Sequence, residues 1–546
     1  MLKIKNFFES KTDLMIFAGL SLFFYFIFFH NIWAYPLMDA DETRYVSMAR
    51  DMFYSKDYLT LYLNGEYFFE KPPLFFWLEC FSFHIFGFIN EFSARFPVAF
   101  LGSIGSFLVY FLGKKIVSRS YGIISSLILA TCIEYSMLSK LAILDIVVSA
   151  CIAISLCFGL ATLFCRESRK KYYWWLFYIF SALAVMAKGI PGFVIPFGSL
   201  FFIYTLSGKF KELFRPIYCI PGSLLFLGII LPWHIIMLKL HNPLFWEEYI
   251  VKHHIARFLG SEEIDRAQPS YFYFITLLWG FFPWIVSSLA VWLSKLKKIS
   301  EMNFLGNNIS RFLFYNTIIV VFTLLFFSIS ETKLITYILP LYPFLACLGG
   351  YIWWEYIVKD KYKKIIDITN YVLGIIFIII AIVGLLSPLF LSKQLLLDIG
   401  SARIFSVLVS FAIGLALILF TKKGLKWASF MSLVLFMTLF SAIATEKFFQ
   451  IDYKFGQYDL MKFAKVAEEK GVSLTTFKFG TKYSLIYYGK APVIYGPQAG
   501  IWELEKALEQ ENNFVIIKNK HLKESKIKDF DIIEVGRKYS LIDARG

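Results

Sequence analysis

The chain has 546 residues, of which 58% are hydrophobic and 20% aromatic, and its formal net charge is +15. Soluble domains carry roughly 45–50% apolar residues; the excess here is gathered into blocks of about 18–23 residues, the length that crosses roughly 30 Å of hydrocarbon. The blocks are apolar on every face, which excludes a barrel, and the basic residues sit in short loops between them, where they read as topology signals rather than as nucleic-acid contacts.

The first apolar run, 14–35, is too long for a signal-peptide core and lacks a small-residue cleavage site, so it reads as an uncleaved first span. Further spans are expected at 92–112, 120–137, 146–165, 172–187, 189–207, 216–238, 271–294, 311–329, 333–352, 366–386, 402–420 and 426–444. Alternate loops carry the basic residues: Lys114, Lys115 and Arg119, then Arg166, Arg169, Lys170 and Lys171, then Lys209, Lys211 and Arg215. Lys295, Lys297 and Lys298, then Lys359, Lys361, Lys363 and Lys364, then Lys422, Lys423 and Lys426 continue the series. These loops mark the cytoplasmic side, and an odd number of spans puts the C-terminal segment outside. The cysteines Cys80, Cys132, Cys151, Cys157, Cys165, Cys219 and Cys347 lie in or beside apolar stretches with no CxxC pair, so they read as small core residues. The expected organisation is a membrane domain over 1–444, with long outer loops at 36–91 and 239–270. Beyond it a polar tail over 445–546 alternates helix-like runs (459–470, 501–509) with strand-like runs (514–517, 531–535), the pattern of a small α/β domain outside the membrane.

The first outer loop carries the densest chemistry. Asp39 and Asp41 suit an N-cap or first turn; Tyr45, Met48, Ala49, Met52 and Phe53 then recur at helical spacing, giving an amphipathic helix lying on the outer surface. Pro72-Pro73 opens a second outer helix, 74–86, ended by Gly87. The loop thus presents Asp41, Glu42, Arg44, Tyr45, Glu70 and Lys71. Taken alone these residues fit a solvated, capped loop as well as a site. The balance shifts because Asp145, Lys188, Lys333 and Tyr337 lie at span ends on the same outer side, and ionisable groups at membrane depth are costly enough to imply function.

The runs Asp41-Glu-Thr-Arg-Tyr45, Tyr67-Phe-Phe-Glu-Lys-Pro-Pro73, Ser93-Ala-Arg-Phe-Pro97, Ala187-Lys-Gly189, His254-Ile-Ala-Arg-Phe258 and Lys333-Leu-Ile-Thr-Tyr-Ile-Leu-Pro340 occur in that order. This set resembles the polyprenyl-phosphate-dependent glycosyltransferases of the GT-C fold, and among them the 4-amino-4-deoxy-L-arabinose lipid A transferases. The resemblance implies an all-α polytopic membrane protein with about thirteen transmembrane helices and outer juxtamembrane helices, plus the small C-terminal α/β domain in the periplasm. It implies that Asp41 is the catalytic acid group, and that Lys71, Arg44 and Tyr45 surround the donor phosphate. Lys188, Lys333 and Tyr337 would line the same cavity, with Glu42 and Asp145 as further acidic groups beside it and Arg257 on the acceptor side. Glu70 and His254 are similar to a zinc pair. Two protein ligands make an incomplete zinc site, which an acceptor phosphate could complete.

The chemistry agrees with these roles. A polyprenyl phosphate needs cations at the membrane surface, and positioned cations stabilise the charge that grows on the leaving phosphate. Asp41 would orient or deprotonate the acceptor, or hold the amine of the sugar. Arg44, Lys71, Lys188, Arg257 and Lys333 are more cations than one phosphate needs, which suits a second anionic substrate. The expected function is transfer of a sugar, 4-amino-4-deoxy-L-arabinose or another aminosugar, from undecaprenyl phosphate to a lipid A phosphate by a monomeric enzyme of the bacterial inner membrane whose site faces the periplasm. Two alternatives stay open: the same fold acting on a protein hydroxyl or another envelope glycan, and a lipid or solute transporter. Transporters tend to show internal repeats and broken midplane helices, and the sequence shows no repeat.

Overall fold

The computed structural model describes residues 10–256, 268–296, 303–478, 482–489, 493–496, 512–524 and 530–543. Among them, nine helices are long and apolar enough to cross a membrane, or ten if the bent pair Phe272–Gly280 and Trp284–Lys295 counts as one span. The chain starts with α1 (Lys11–Phe29), capped by Ser10, whose side chain accepts the Asp13 N–H. It leaves the helix before the Tyr35-Pro36 step and re-enters one as α2 (Asp41–Ser55), then α3 (Leu74–Phe86) and α4 (Glu91–Ile116). Gly87 closes α3 at φ 74°, a left-handed conformation that costs glycine nothing. Asn90 and Ser93 open α4 with reciprocal side-chain-to-backbone bonds.

The remaining spans follow as α5 (Arg119–Ala130) with α6 (Ile133–Leu138), then α7 (Leu144–Phe164), α8 (Glu167–Lys188), α9 (Pro191–Leu206) and α10 (Pro216–His241). Helices Asn308–Ile329, Tyr342–Lys359, Lys363–Leu386, Lys393–Lys422 and Lys426–Gly456 come after the bent pair. A helix or a helix pair stands at each of the thirteen expected spans, while nine of the described helices, or ten with the bent pair as one span, are long and apolar enough to cross. The 120–137 span breaks at Thr131 and Cys132 into α5 and α6. The 271–294 span bends by 120° before Pro283, which lacks the N–H that would continue the helical ladder. The 333–352 span starts as a tight turn, Ile335–Leu341, containing Pro340, and becomes α-helical only at Tyr342.

The expected domain boundary at 445 falls inside the last long helix, which runs to Gly456. Polar residues such as Glu446, Lys447 and Gln450 end the apolar stretch, but they are compatible with helix, which stops only at Gly456. Beyond it, helix Tyr458–Lys470 covers a five-stranded sheet of order β4-β3-β5-β7-β6. Strands β3 (Ser473–Phe477), β4 (Val493–Gly496) and β5 (Asn513–Lys518) run parallel, while β7 (Tyr539–Asp543) is antiparallel to both β5 and β6 (Asp531–Val535). β1 (Tyr62–Leu63) and β2 (Glu66–Tyr67) form a separate hairpin in the first outer loop. Leu460, Phe463, Ala464, Leu474, Phe514, Ile516 and Leu541 form the small core of the C-terminal unit. The helix expected over 501–509 lies outside the described residues. The short helix Tyr483–Tyr488 joins this unit to α2.

Candidate active site

The start of α2 sets the geometry. Asp41, Arg44, Tyr45 and Met48 are spaced i, i+3, i+4 and i+7 and so share one face. Asp41 is more than half exposed and accepts from Arg44 Nη2 at 2.7 Å. Arg44 Nη2 also reaches Tyr45 Oη at 3.0 Å, and Arg44 Nη1 lies 3.9 Å from Glu70 Oε2. The guanidinium sits against the rings of Tyr45, Phe68 and Tyr483 at 4.8, 5.9 and 5.6 Å. Its Nε is buried with no hydrogen-bond partner among the described residues. Burial pushes the Tyr45 hydroxyl up from its ordinary range; the Arg44 cation opposes this, while Asp41, Asp145 and Glu70 reinforce it. Tyr45 is therefore a neutral hydroxyl throughout the physiological range. Lys71, next in sequence to Glu70, donates from Nζ to Glu70 O at 3.2 Å.

Glu42 sits one residue on from Asp41, about 100° around the helix axis, and this rotation takes it out of the site. Its carboxylate is buried and accepts from Arg95 Nε and Nη2, both at 2.8 Å, from Met38 N at 2.9 Å and from Ala142 N at 2.6 Å. Arg95, on α4, is also fully buried and spends its remaining donors on the carbonyls of Ile32, Tyr35 and Pro36 at 2.7 to 2.8 Å. Glu42, expected as an acidic group beside the site, has every lone pair committed to holding the 30–42 segment together. Asp39 is likewise not an N-cap. Its carboxylate accepts from Thr43 Oγ1 at 2.7 Å and from the backbone and side chain of Ser484 at 2.8 and 2.7 Å.

A second set of groups arrives from the span ends. Asp145, in the first turn of α7, pairs with Lys188 at the end of α8, and Lys188 Nζ lies 4.4 Å from the centroid of the Tyr337 ring. The run Lys188-Gly189-Ile-Pro-Gly192 explains how the lysine gets there. Gly189 takes φ 79°, ψ −136°, open to glycine alone, and reverses the chain. Gly192 then packs so closely that a Cβ there would lie 2.3 Å from the Ala184 carbonyl carbon. Lys333 is buried, and its Nζ donates to Gln268 O at 3.0 Å; no described hydrogen bond or ion pair ties it to Arg44 or Asp41. The cation surplus counted in the sequence is in good part compensated internally, because Arg44 holds Asp41 and Lys188 holds Asp145.

Arg257 lies outside the described residues, as does the side chain of His254. Among the described residues no group of three His, Cys, Asp or Glu side chains converges as metal ligands, and Glu70 turns its carboxylate to Arg44. Arg95, Tyr483 and Ser484 are neighbours that sequence reasoning leaves without a role, and Asp39 is one it reads only as a helix cap. For Asp39, the i, i+4 spacing to Thr43 is a local signal; nothing local points to Ser484, 445 residues away.

A family described as dolichyl-phosphate-mannose-protein mannosyltransferase matches residues 70–236. An undecaprenyl phosphate-alpha-4-amino-4-deoxy-L-arabinose arabinosyl transferase of Erwinia tasmaniensis is 28% identical over 60% of this chain, and the chain spans 57% of that protein's length, less than two thirds. An Aquifex aeolicus protein is 30% identical over 64% of this chain and 76% of its own. The crystal structure of ArnT from Cupriavidus metallidurans bound to undecaprenyl phosphate superposes with a TM-score of 0.77 over 98% of each chain, at 17% identity, a likeness of fold. The chain has the GT-C fold of multi-pass membrane proteins. Among relatives of that fold, the chain is similar to the 4-amino-4-deoxy-L-arabinose transferases.

Proposed function

We propose that the chain transfers a sugar from a polyprenyl phosphate to an acceptor at the periplasmic face of the bacterial inner membrane. The donor is undecaprenyl phosphate carrying 4-amino-4-deoxy-L-arabinose or another aminosugar, and the acceptor is a lipid A phosphate. The observation that carries this reading is the pair of polar sets at the ends of apolar helices, Asp41, Arg44, Tyr45 and Glu70 in one and Asp145, Lys188 and Tyr337 in the other. An acid, a stacked guanidinium and a lysine at the end of membrane helices suit a phosphate headgroup whose chain stays in lipid. The Erwinia relative's name supports the choice of donor.

In this mechanism an acceptor oxygen attacks the anomeric carbon, the bond from that carbon to the donor phosphate breaks, and the electron pair leaves with the phosphate. Arg44, Lys71 and Lys188 stabilise the charge that develops there. Asp41, exposed on the loop, orients the incoming group. A phosphate acceptor is mostly ionised at pH 7, its second pKa being about 6, so little proton transfer is needed; a hydroxyl would hand its proton to Asp41. Mass spectrometry of lipid A from cells with and without the gene, and with Asp41→Asn, tests the reading. Aminosugar-modified lipid A only with the wild-type gene is expected. Unmodified lipid A beside newly glycosylated envelope protein would sink the acceptor assignment.

A further inference from the structure

The C-terminal unit reaches the site through the helix Tyr483–Tyr488. That short helix is fastened to the first outer loop along its whole length. At its start, Ser484 gives both its N–H and its hydroxyl to Asp39, two residues before Asp41. At its end, Arg50 on α2 donates to the carbonyls of Ile486 and Tyr487 at 3.4 and 2.8 Å, where a helix presents free acceptors. Tyr488 Oη accepts from Leu37 N at 2.7 Å and donates to Glu91 at 3.0 Å. Gln457 adds a bond from Nε2 to Leu37 O at 3.1 Å. These contacts leave the helix little freedom relative to α2, and they bring Tyr483 to the Arg44 guanidinium.

We infer that Tyr483 is a positioning residue of the donor site, supplied by the C-terminal unit, which holds Arg44 in place for the phosphate of a polyprenyl phosphate. The inference rests on the glycosyltransferase reading above. Arg44 has three aromatic neighbours; Tyr45 and Phe68 come from the same loop, and Tyr483 alone comes from the far end of the chain. An arginine among rings keeps its planar fork preorganised while its N–H groups stay free to donate in the plane. The site is then built from both ends of the sequence: the acid and the guanidinium from the first outer loop, and the third ring that steadies them from the last domain.

The test measures binding of undecaprenyl phosphate to the full-length protein in detergent, with thermal unfolding recorded on the same samples. Tyr483→Leu keeps the bulk and loses the ring, and is expected to weaken binding roughly two- to thirtyfold. Tyr483→Phe keeps the ring and is expected to restore affinity to within about twofold. In transfer assays the Leu variant is expected to raise the donor KM while the acceptor KM stays put. Wild-type affinity in the Leu variant, or a Phe variant as weak as the Leu variant, would overturn the inference. So would a loss of melting temperature that tracks the loss of affinity, since Tyr483 would then serve packing alone. Lys71→Ala is the control that separates the two levels. Binding by the wild type that is lost in Lys71→Ala but kept in Tyr483→Leu removes the inference and leaves the glycosyltransferase reading. No binding by the wild type removes both.

Discussion

Two adjacent acids, Asp41 and Glu42, are expected to respond oppositely to substitution. Glu42→Ala removes four hydrogen bonds from a buried carboxylate and strands Arg95, whose side chain is 0% exposed. Breaking a buried, hydrogen-bonded ion pair from one side costs about 3–5 kcal/mol. Whole domains are stable by only about 5–15 kcal/mol, so the loss is a large fraction of what holds the outer end of the bundle. Asp41→Asn touches a side chain 59% exposed whose one short contact is to Arg44. Exposed pairs of that kind contribute about 0–1 kcal/mol. The assay is thermal unfolding of the detergent-solubilised protein followed by tryptophan fluorescence, paired with transfer from a lipid-linked sugar. Glu42→Ala should melt well below the wild type and lose transfer together with fold. Asp41→Asn should melt with the wild type and lose transfer alone. A Glu42→Ala protein that melts normally yet transfers nothing would refute the structural role given to Glu42, and a destabilised Asp41→Asn would refute the catalytic one given to Asp41.

Lys71→Ala is expected to raise the donor KM roughly ten- to a hundredfold, the worth of one charge-assisted contact, with the acceptor KM unchanged; steady-state kinetics at varied donor would reveal it, and an unchanged donor KM removes Lys71 from the phosphate site. Gly192→Ala drives a methyl group into the backbone at Ala184 and Val185, and should cost about 1–3 kcal/mol and displace Lys188; a wild-type melting temperature with full transfer would count against that packing. Lys140, in the loop before α7, is buried, and burial pushes its ammonium down to about 8, with Glu446 opposing. Its folded pKa lies below the unfolded value of about 10.4, so the unfolded chain binds more protons in between and stability rises with pH across that window. The Lys140→Met protein should lack this rise, a difference of up to about 3 kcal/mol from the pKa gap, and parallel stability–pH curves for the two proteins would contradict it.

The parts of the structure legible from sequence are those governed by local rules. Pro72-Pro73 and Gly87 bracket α3, Leu74–Phe86, because a proline starts a helix cheaply and a glycine ends one in the left-handed region. Long apolar runs name the spans, but their breaks depend on tertiary packing. Phe272–Gly280 and Trp284–Lys295 read as one stretch until Pro283 is seen to turn the chain by 120°. In the site, Asp41, Arg44 and Tyr45 follow from helical spacing, and Lys188 with Asp145 from their depth at span ends. The role of Glu42 does not follow from its neighbours in sequence. It depends on Arg95 lying across from it, 53 residues on, and the contribution of Tyr483 depends on a contact between domains that no local pattern encodes.

The Arg95–Glu42 clamp has a consequence for how the outer end of the bundle can change over time. Its bonds to the chain between α1 and α2 end on main-chain atoms: the carbonyls of Ile32, Tyr35 and Pro36, and the N–H of Met38. Main-chain atoms are the same whatever residue bears them. The identities at 32 and 38 are therefore free to drift as far as the clamp is concerned, whereas Tyr35 lays its ring against the Arg95 guanidinium at 4.1 Å, and Arg95 and Glu42 are each irreplaceable without the other. Comparison of natural variants should find positions 32 and 38 variable in side chain, an aromatic kept at 35, and the stretch fixed in length, because an inserted or deleted residue would take the carbonyls out of reach of the guanidinium where a substitution would not.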